Sequence, residues 1–575
     1  MENVLSLNSN VGHSINLKKL GLVGLSIACL IWALHFRLNV LNQENLDLAN
    51  VGLSNDLYEN PNAASFLPVN QPEEITNNEC TMIVAASNAS NKTGANYVCT
   101  GKDDQNKINE ALTKCKRVIL TDGDFYISRP IKTTYRNNIL SGASKDRTRI
   151  RTQSSFSGSQ MIYFTGKANE EEKAEGGVPI QMGKLNKGAT TISLSGASSF
   201  LSVGEYFSLT SAPFPNEKAH PKDVFDGTRP YYFEGEWCQV KSVSSSQVTL
   251  VQPLRFTYDD NTKLYHYNLL TEVGVENMTV YPPGNLYIYA IEIDKARGAF
   301  VKGVKVVDQG SKKTEMGIVF DRVVEGEISG CHVEGVLDIN ASSRTGYGYY
   351  LHGCDLTKIV NCTGKNNKHT VDVAGTNWAP VSTRIRVENV SADVDEEGSF
   401  STHSGTYDIY WYKCRATNTP SWGVIRNPKT KIEEATYYSN LKSAFPKFLQ
   451  IGELRSGGTW DSYDGRGGED LEIINCKVDI LNNNNTEVSY IFADDPLVNV
   501  SIRGGQWKGA RAAMRLYGLR CENVRVENVF WQFNTGGKNM ILIDPREDGK
   551  RGHWHSRLIL SFKTLRFVTP LAPLP

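Results

Sequence analysis

The sequence has no surplus of charge of either sign, because 62 Lys and Arg residues balance 62 Asp and Glu residues among 575. A chain without net charge has no global field that attracts nucleic acid, so we expect no nucleic-acid partner. Amphipathic helical patterns are scarce after residue 115, which argues against a helical solenoid. Glycine is plentiful, with 49 residues, and short β-rich runs recur. The composition therefore predicts an all-β chain that holds several domains or grows by repetition.

Long hydrophobic runs are also lacking, with one exception, LGLVGLSIACLIWALHF at residues 20–36. Lys18 and Lys19 precede this run and Arg37 follows it, a pattern that keeps the N-terminus in the cytoplasm. We predict a cytoplasmic tail at 1–19, an uncleaved signal anchor at 20–36 and a polar stalk at 37–99. The predicted location is a single-pass membrane protein whose C-terminal part is extracytoplasmic. Secretion after removal of a signal peptide is the alternative.

Nine segments of the chain align with one another, and most of their starts lie 24 to 31 residues apart. In each, a β-rich run leads to a bend residue, and an apolar residue usually follows. The bend column contains Asn277, Gly303, Gly330, Asn361, Asn389, Lys413, Asn475, Gly504 and Asn528. Asn and Gly tolerate the left-handed backbone of a tight bend. The next column contains Met278, Val304, Cys331, Cys362, Val390, Cys414, Cys476, Gly505 and Val529. Cysteine alternates there with valine and methionine, which predicts buried thiols.

A third column, of mostly small residues, lies eight residues before the second column in seven of the segments. It contains Ala296, Val323, Cys354, Ser382, Thr406, Gly468 and Cys521. A repeat of this length, made of short strands and stacked columns, is typical of a parallel β-helix. The period is interrupted at 158–270 and at 427–468, so we predict two insertions, the first a small β insertion.

The columns and the N-terminal sequence resemble the pectate-lyase-like superfamily of right-handed parallel β-helices. DDQNKINEALTKCKRVILTDGDFYISRPIKT is similar to its capping helix and first coil, with Ile108, Ala111, Leu112 and Cys115 on one helix face. ILSGASKDRTRI (139–150) is similar to the coil that follows. The resemblance implies a right-handed parallel β-helix at 100–560 and a C-terminal tail at 561–575. It also implies an asparagine ladder inside the bend column. The superfamily hosts lyases, hydrolases, epimerases and phage tailspikes, so the fold leaves the activity open.

The cysteines outside the columns and the anchor are the candidates for disulfides in an exported chain. They are Cys80, Cys99, Cys115 and Cys238, and none has metal-ligand spacing. Sequons at Asn88, Asn91, Asn340 and Asn484 lie in polar stretches where a glycoprotein could carry sugar, whereas those at Asn277, Asn361 and Asn389 coincide with the bend column.

Aligned coils also bring polar residues together on the strand before the small column. Neighbouring coils are about 4.8 Å apart, so matching positions face one another. The strip contains His352, His369, Asp372, His403, Arg426, Asn427, Asp494 and Asp495, with Trp378 and Trp422 beside it. Three of the chain's ten histidines fall on successive coils, and aromatic rings stack well on sugars. NKHTVDVAG followed by FSTHSG resembles paired segments in β-helix proteins of phage and bacterial surface-polysaccharide systems. We therefore predict a polysaccharide partner.

Two enzymatic mechanisms fit this strip. In β-elimination, His403 is the base, His369 or Tyr407 the acid, and Arg426 or Arg384 neutralises a uronate carboxylate. In hydrolysis, Asp372 pairs with Asp494 or Asp495. We assign catalysis to His403, His369, Asp372 and Arg426.

Substrate binding is assigned to His352, Trp378, Trp422, Asp494 and Asp495. We expect no cofactor; calcium would need a ligand set that the sequence does not clearly supply. His403 is expected on an exposed wall, where its replacement changes stability little. A non-catalytic carbohydrate-binding or adhesive β-helix is the alternative.

Overall fold

The computed structural model describes residues 80–567 except for several internal segments. These are 167–179, 212–234, 261, 284–287, 311–313, 338–344, 376–378, 404, 443–444, 453–466, 482–487, 494–496, 517–520, 535–538, 544–559 and 564–565. Side chains are described up to residue 534. The predicted cytoplasmic tail, the predicted anchor 20–36 and most of the predicted stalk lie outside the described residues. Within the described residues, no helix is long and apolar enough to cross a membrane.

The chain winds through three long parallel sheets, called here sheets I, II and III. Sheet I has 15 strands and sheets II and III have 13 each. Each strand pairs with the equivalent strand of the next coil, for example Glu327–Ser329 with Lys358–Val360 and then with Ser382–Glu388. Parallel pairing between successive coils is the defining feature of a parallel β-helix, so the all-β, parallel β-helical part of the prediction is confirmed.

The strands of the sheets have the following bounds. Sheet I contains Thr81–Ala85, Tyr97–Val98, Arg117–Leu120, Ile139–Gly142, Gly274–Glu276, Phe300–Lys302, Glu327–Ser329, Lys358–Val360, Ser382–Glu388, Thr406–Tyr412, Thr430–Glu433, Leu471–Ile474, Ser501–Arg503, Val524–Glu527 and Leu560–Lys563. Sheet II contains Gly123–Ile127, Thr148–Thr152, Thr279–Tyr281, Lys305–Val307, His332–Glu334, Thr363–Lys365, Ser391–Asp393, Arg415–Thr417, Thr436–Ser439, Lys477–Ile480, Gln506–Lys508, Phe530–Gln532 and Arg566–Phe567. Sheet III contains Ile131–Thr133, Gln160–Thr165, Leu270–Thr271, Ile288–Arg297, Thr314–Val324, Tyr347–His352, His369–Ala374, Gly398–Thr402, Ser421–Ile425, Lys447–Ile451, Ser489–Ala493, Ala512–Leu516 and Asn539–Ile543. A short sheet contains Gly468–Glu469, Leu497–Val498 and Cys521–Glu522.

The first coil begins earlier than the sequence predicted. Thr81–Ala85 and Tyr97–Val98 already belong to sheet I, so residues 81–98 are part of the solenoid and not of a stalk. The helix Gln105–Lys114 packs Ile108, Ala111 and Leu112 into the core, as its apolar spacing predicted. A disulfide joins Cys80 to Cys115 directly after the helix. At the other end, strands up to Arg566–Phe567 pair with the sheets, so the β-helix extends into the predicted tail.

The bend between sheets I and II has the predicted left-handed backbone. All nine residues of the bend column have φ between 53° and 66°. A tenth member, Glu434, has φ 52° and is followed by buried Ala435. Its coil, Thr430–Ser439, pairs regularly on both sides. The predicted insertion 427–468 therefore contains a regular coil, which was missed because Glu434 is neither Asn nor Gly.

The amides of the bend column lie at the surface and not inside the stack. Asn361 and Asn389 are exposed, and Asn389 Nδ2 donates to Asn361 Oδ1 at 2.7 Å. The expected internal asparagine ladder is thus an external one, and the positive φ accounts for the residue choice.

The column that follows the bend column and the third column both form part of the core, as predicted. Cys331, Cys362, Cys414 and Cys476 are buried free thiols on equivalent inner positions of their coils. In the third column, Ala296 pairs with Val323 and Ser382 with Thr406. One hydrophobic core runs along the described coils.

The first insertion is narrower than predicted. Gln160–Thr165 and Leu270–Thr271 belong to sheet III, so the interruption lies between them. Within it, Ile180–Gln181, Thr191–Ser193, Tyr206–Thr210, Gly235–Val243, Gln247–Leu250 and Lys263–His266 form a six-stranded antiparallel sheet, with the short helix Ala197–Ser199. This sheet has its own core and contacts the solenoid, where Trp237 Nε1 donates to the Gly353 carbonyl at 2.7 Å.

Candidate functional site

The predicted polar strip lies on the outer face of sheet III. Along each strand apolar side chains point into the core, and the residues between them point outward. Outward residues at matching positions form a row in which Asp294 pairs with Asp321, and Asp321 with His352. A second outward row contains Glu292, Val319, Tyr350, Asp372 and Ser401. The predicted residues therefore share a face but occupy different rows.

The centre of the candidate site is a contact between an imidazole and a carboxylate on two adjacent coils. His403 Nε2 lies 3.4 Å from Asp372 Oδ1. Asp372 is completely buried, whereas 14% of the His403 side chain is exposed. Neither Asp372 oxygen has a well-aligned hydrogen bond among the described residues, so nearby positive charge must balance the carboxylate. Burial raises the pKa of Asp372, but the neighbouring His403 and Arg426 outweigh it and hold that pKa below its usual range. Asp372 is thus an ionised residue that orients His403.

Arg426 lies on the coil after His403. Its backbone N–H donates to Thr402 Oγ1 at 3.0 Å, and its Nη1 donates to the Thr402 carbonyl at 2.9 Å and to Ser401 Oγ at 3.2 Å. Ser401 is the register neighbour of Asp372. Three successive coils therefore bring a carboxylate, an imidazole and a guanidinium together.

His369 is near this centre but is poorly suited to be the acid. Burial is the main reason that its pKa is lowered to about 4, so the ring is neutral at pH 7. Its Nδ1 is hydrogen-bonded to the Gly398 carbonyl, which requires the proton on that nitrogen. Its Nε2 lies 3.5 Å from Glu397. His369 therefore has no proton to donate from its outer nitrogen.

His352 belongs to an ion network two coils before His403. Its Nδ1 lies 2.7 Å from Asp321 Oδ1, and Arg322 Nη2 contacts Asp321 at 2.8 Å and Asp294 at 3.0 Å. Lys295 Nζ lies 3.2 Å from Asp294. His352 is largely buried, so its position fits a network residue at the edge of the site better than a direct sugar contact.

Other predicted residues do not join the centre. Trp422 has 0% exposure and packs among Phe400, Trp411 and Phe448, so its assignment to substrate binding is wrong. A one-residue difference along a strand turns a side chain from the outer face to the core. Asn427 is buried as well. Trp378, Asp494 and Asp495 lie outside the described residues.

The alternative acid and cation are on sheet I, beside the insertion. The Tyr407 ring packs on Phe256 of the insertion, with centroids 5.4 Å apart. Arg384 Nε donates to Asp355 at 2.8 Å. Neither residue lies on the outer face of sheet III, so they are not brought to His403.

An aromatic cluster next to the centre was missed by the sequence reasoning. Tyr347, Met316 and Val319 pack together on the outer face of sheet III, with Tyr289 and Tyr350 against them. The Tyr347 ring centroid lies 5.3 Å from that of Tyr350 and 6.2 Å from that of His403. We call these five residues the aromatic platform. Its signal in the sequence is GYGYYLHGC, where tyrosines precede the predicted His352.

A metal site was not predicted. Among the described residues, no group of three or more His, Cys, Asp or Glu side chains is arranged to hold a metal ion.

Comparison with known proteins gives structural matches only. No protein-family model matches the sequence, and no curated protein matches it either. The structure is similar to tailspike gp61 of Pseudomonas phage phi297, with a TM-score of 0.54 and 15% identity over 77% of this chain and 73% of that chain. Tailspike gp49 of Pseudomonas phage LKA1 gives a TM-score of 0.49 and 15% identity over 75% of this chain and 72% of that one. Identity this low carries information on the fold alone. The chain therefore has a parallel β-helix fold like that of these tailspikes.

Proposed function

We propose that the chain cleaves a uronate-containing polysaccharide by β-elimination on the outer face of sheet III. The observation that carries this proposal is the convergence of Asp372, His403 and Arg426 on three successive coils, with His403 Nε2 at 3.4 Å from Asp372. A base and a cation about one coil apart, or ~5 Å, match the spacing of the acidic proton and the carboxylate of one sugar.

Each residue has a role in this reaction. His403 Nε2–H faces Asp372, so Nδ1 is the nitrogen that takes the proton from the carbon next to the uronate carboxylate. The electron pair of that C–H bond forms the C4–C5 double bond, and the bond to the glycosidic oxygen at C4 breaks. Arg426 neutralises the substrate carboxylate and stabilises the charge that develops there. Asp372 positions the imidazole and does not touch the sugar.

The leaving oxygen must gain a proton, and Tyr350 is the proposed donor. Tyr350 is the register neighbour of Asp372 on the preceding coil, and its ring stacks on Tyr347. It replaces His369 and Tyr407 in this role. The aromatic platform gives the sugar chain a stacking surface beside the base.

Elimination is favoured over hydrolysis because Asp372 has 0% exposure. A hydrolytic carboxylate must reach the glycosidic bond or its attacking water. A buried ionised carboxylate can orient a base but cannot act as nucleophile or acid on a sugar.

The proposed place of action is outside the cytoplasm, with residues 20–36 as the membrane anchor and secretion as the alternative. The Cys80–Cys115 disulfide supports an oxidising compartment. An extracellular or cell-surface polysaccharide would then be the partner. Carbonate extraction tests the anchor, because an unprocessed chain in the soluble fraction would contradict it.

The reaction is tested by incubating the full-length protein with a panel of uronate-containing and neutral polysaccharides. Elimination produces an unsaturated uronate, which absorbs in the ultraviolet, whereas hydrolysis produces reducing ends without that absorbance. His403→Ala should reduce turnover by ~100-fold or more, and Glu472→Ala on sheet I should not. Reducing ends without unsaturated product would reject elimination. Binding without any cleavage would favour the carbohydrate-binding alternative.

A further inference from the structure

A polar pair lies at the other end of the aromatic platform. Gln160 Nε2 donates to Glu292 Oε2 at 2.7 Å across neighbouring coils of sheet III. Glu292 is only 7% exposed, and Gln160 is half-buried. Neither residue takes part in the proposed elimination, and neither was singled out by the sequence.

Glu292 is protonated at neutral pH. Burial is the largest cause, and the charges of Asp294 and Asp321 add to it, so the pKa of Glu292 is raised to about 8. A protonated carboxyl has one donor and one acceptor, and the Gln160 amide has two donors and one acceptor. The hydrogen bond between the two residues uses one donor and one acceptor. Whichever way the amide is turned, two donors and one acceptor remain for a ligand.

The pair lies on the same face as the catalytic centre and at a defined separation from it. Glu292 and Asp372 occupy one row, three coils apart, with Val319 and Tyr350 between them. Three coil steps correspond to ~14 Å. The aromatic platform covers this interval, so one saccharide chain could contact both ends.

We propose that Glu292 and Gln160 form a subsite for an acetamido sugar of the same polysaccharide chain. A secondary amide has one carbonyl acceptor and one N–H donor, which complement a donor and the acceptor that remain on the pair. A hydroxyl group in place of the acetamido group can satisfy the two only by a less favourable geometry. The inference rests on the proposed function, because that function places the saccharide chain along the outer face of sheet III. It narrows the substrate to polymers that contain both uronate and N-acetylated sugar.

The test compares two neutral hexasaccharides that differ only at C2, one of N-acetylglucosamine and one of glucose, both β-1,4-linked. Calorimetric titration of the full-length protein should give about tenfold tighter binding of the N-acetylated probe, the worth of one to two additional hydrogen bonds. Glu292→Ala should abolish the preference. Glu292→Gln should keep the preference for the N-acetylated probe, because an amide still supplies a donor and an acceptor. The glutamine variant also reports whether the alanine variant lost binding through misfolding. Glu472→Ala is the surface control.

Raising the pH provides a second readout. The groups that interact with Glu292 are Gln160, Tyr163, Tyr289, Asp294, Asp321 and Arg322. Above pH 8 the carboxyl ionises and loses its donor, so the wild-type preference should decline, while that of Glu292→Gln should persist. A preference that survives in Glu292→Ala would overturn the subsite. So would equal binding of the two probes or no binding of the N-acetylated one.

His403→Ala separates the two proposals. If the subsite is right and elimination is wrong, the acetamido preference remains while His403→Ala changes no turnover. If elimination is right and the subsite is wrong, His403→Ala abolishes turnover on a uronate polymer and no preference is found.

Discussion

Replacing His403 by alanine should destabilise the protein, contrary to what an exposed wall residue would predict. The variant removes the imidazole next to a carboxylate with 0% exposure. Removing the partner of a buried charge costs about 3–5 kcal/mol, because that charge stays buried without compensation. Arg426 remains on the next coil, so we expect the lower end, about 3 kcal/mol.

A second substitution should restore part of this loss. In the double variant His403→Ala with Asp372→Asn the buried charge is absent, and only the smaller cost of a poorly bonded amide remains, about 1–3 kcal/mol. The double variant should therefore unfold later than His403→Ala alone, although it carries one more change. Chemical denaturation of wild type, both single variants and the double variant gives the coupling free energy.

The pH dependence has a definite sign. The pKa of Asp372 is lowered in the folded protein, so its contribution to stability is present above its unfolded pKa and is lost as pH falls through the folded value. In His403→Ala the carboxyl loses its partner and is protonated more easily, so the deficit should shrink on acidification. Hydrogen exchange of His369–Ala374 reports the effect locally. A double variant less stable than His403→Ala would refute the reasoning.

Further predictions concern binding, packing and backbone. Arg426→Ala should raise KM for a uronate polymer by ~10-fold or more, without weakening binding of a neutral oligosaccharide; equal effects on both would remove Arg426 from carboxylate recognition. Trp422→Ala should destabilise by about 3–5 kcal/mol in denaturation experiments, and loss of glycan binding in a fully folded variant would contradict its place in the core. Lys413→Asn should stabilise by about 0.5–1 kcal/mol, because Lys413 has φ 53° and Asn tolerates that region better; an earlier unfolding midpoint would contradict this. Glu292→Gln should raise the thermal midpoint above pH 8 but not below pH ~4, because a raised pKa costs stability only above the unfolded value; a pH-independent effect would contradict it.

Much of the fold could be predicted because its bends restrict residue choice. A left-handed residue at every coil selects Asn or Gly, and the apolar residue after it must face the core. Lys413 and Glu434 show the limit of that argument, since both have φ near +52° without being favoured there. Lys413 was recovered from its flanking residues, whereas Glu434 was missed and its coil was assigned to an insertion.

The site was predicted less completely, because the alternation of side chains along a strand does not tell which of them are accessible to solvent. Asp372 and Trp422 lie two coils apart on sheet III, and both have 0% exposure, yet for different reasons. Trp422 points into the core, which a register error of one residue conceals. Asp372 points outward and is covered by its neighbours on the face. Side-chain packing between coils, and not the strand pattern, decides this second kind of burial.

The same packing argument connects chemistry to the fold. A polar residue on an outer sheet face is normally solvated, and its pKa is then close to the usual value. Residues of the aromatic platform are buried even though they lie on this outer face. Glu292 and Asp372, whose carboxyl pKa values are shifted, lie at its two ends. One is held neutral and the other ionised by their neighbours. Carboxyl groups whose pKa values are shifted in opposite directions on one face are typical of functional sites, because burying such groups does not stabilise the fold. This is why we place binding and catalysis on the outer face of sheet III rather than on sheet I or II.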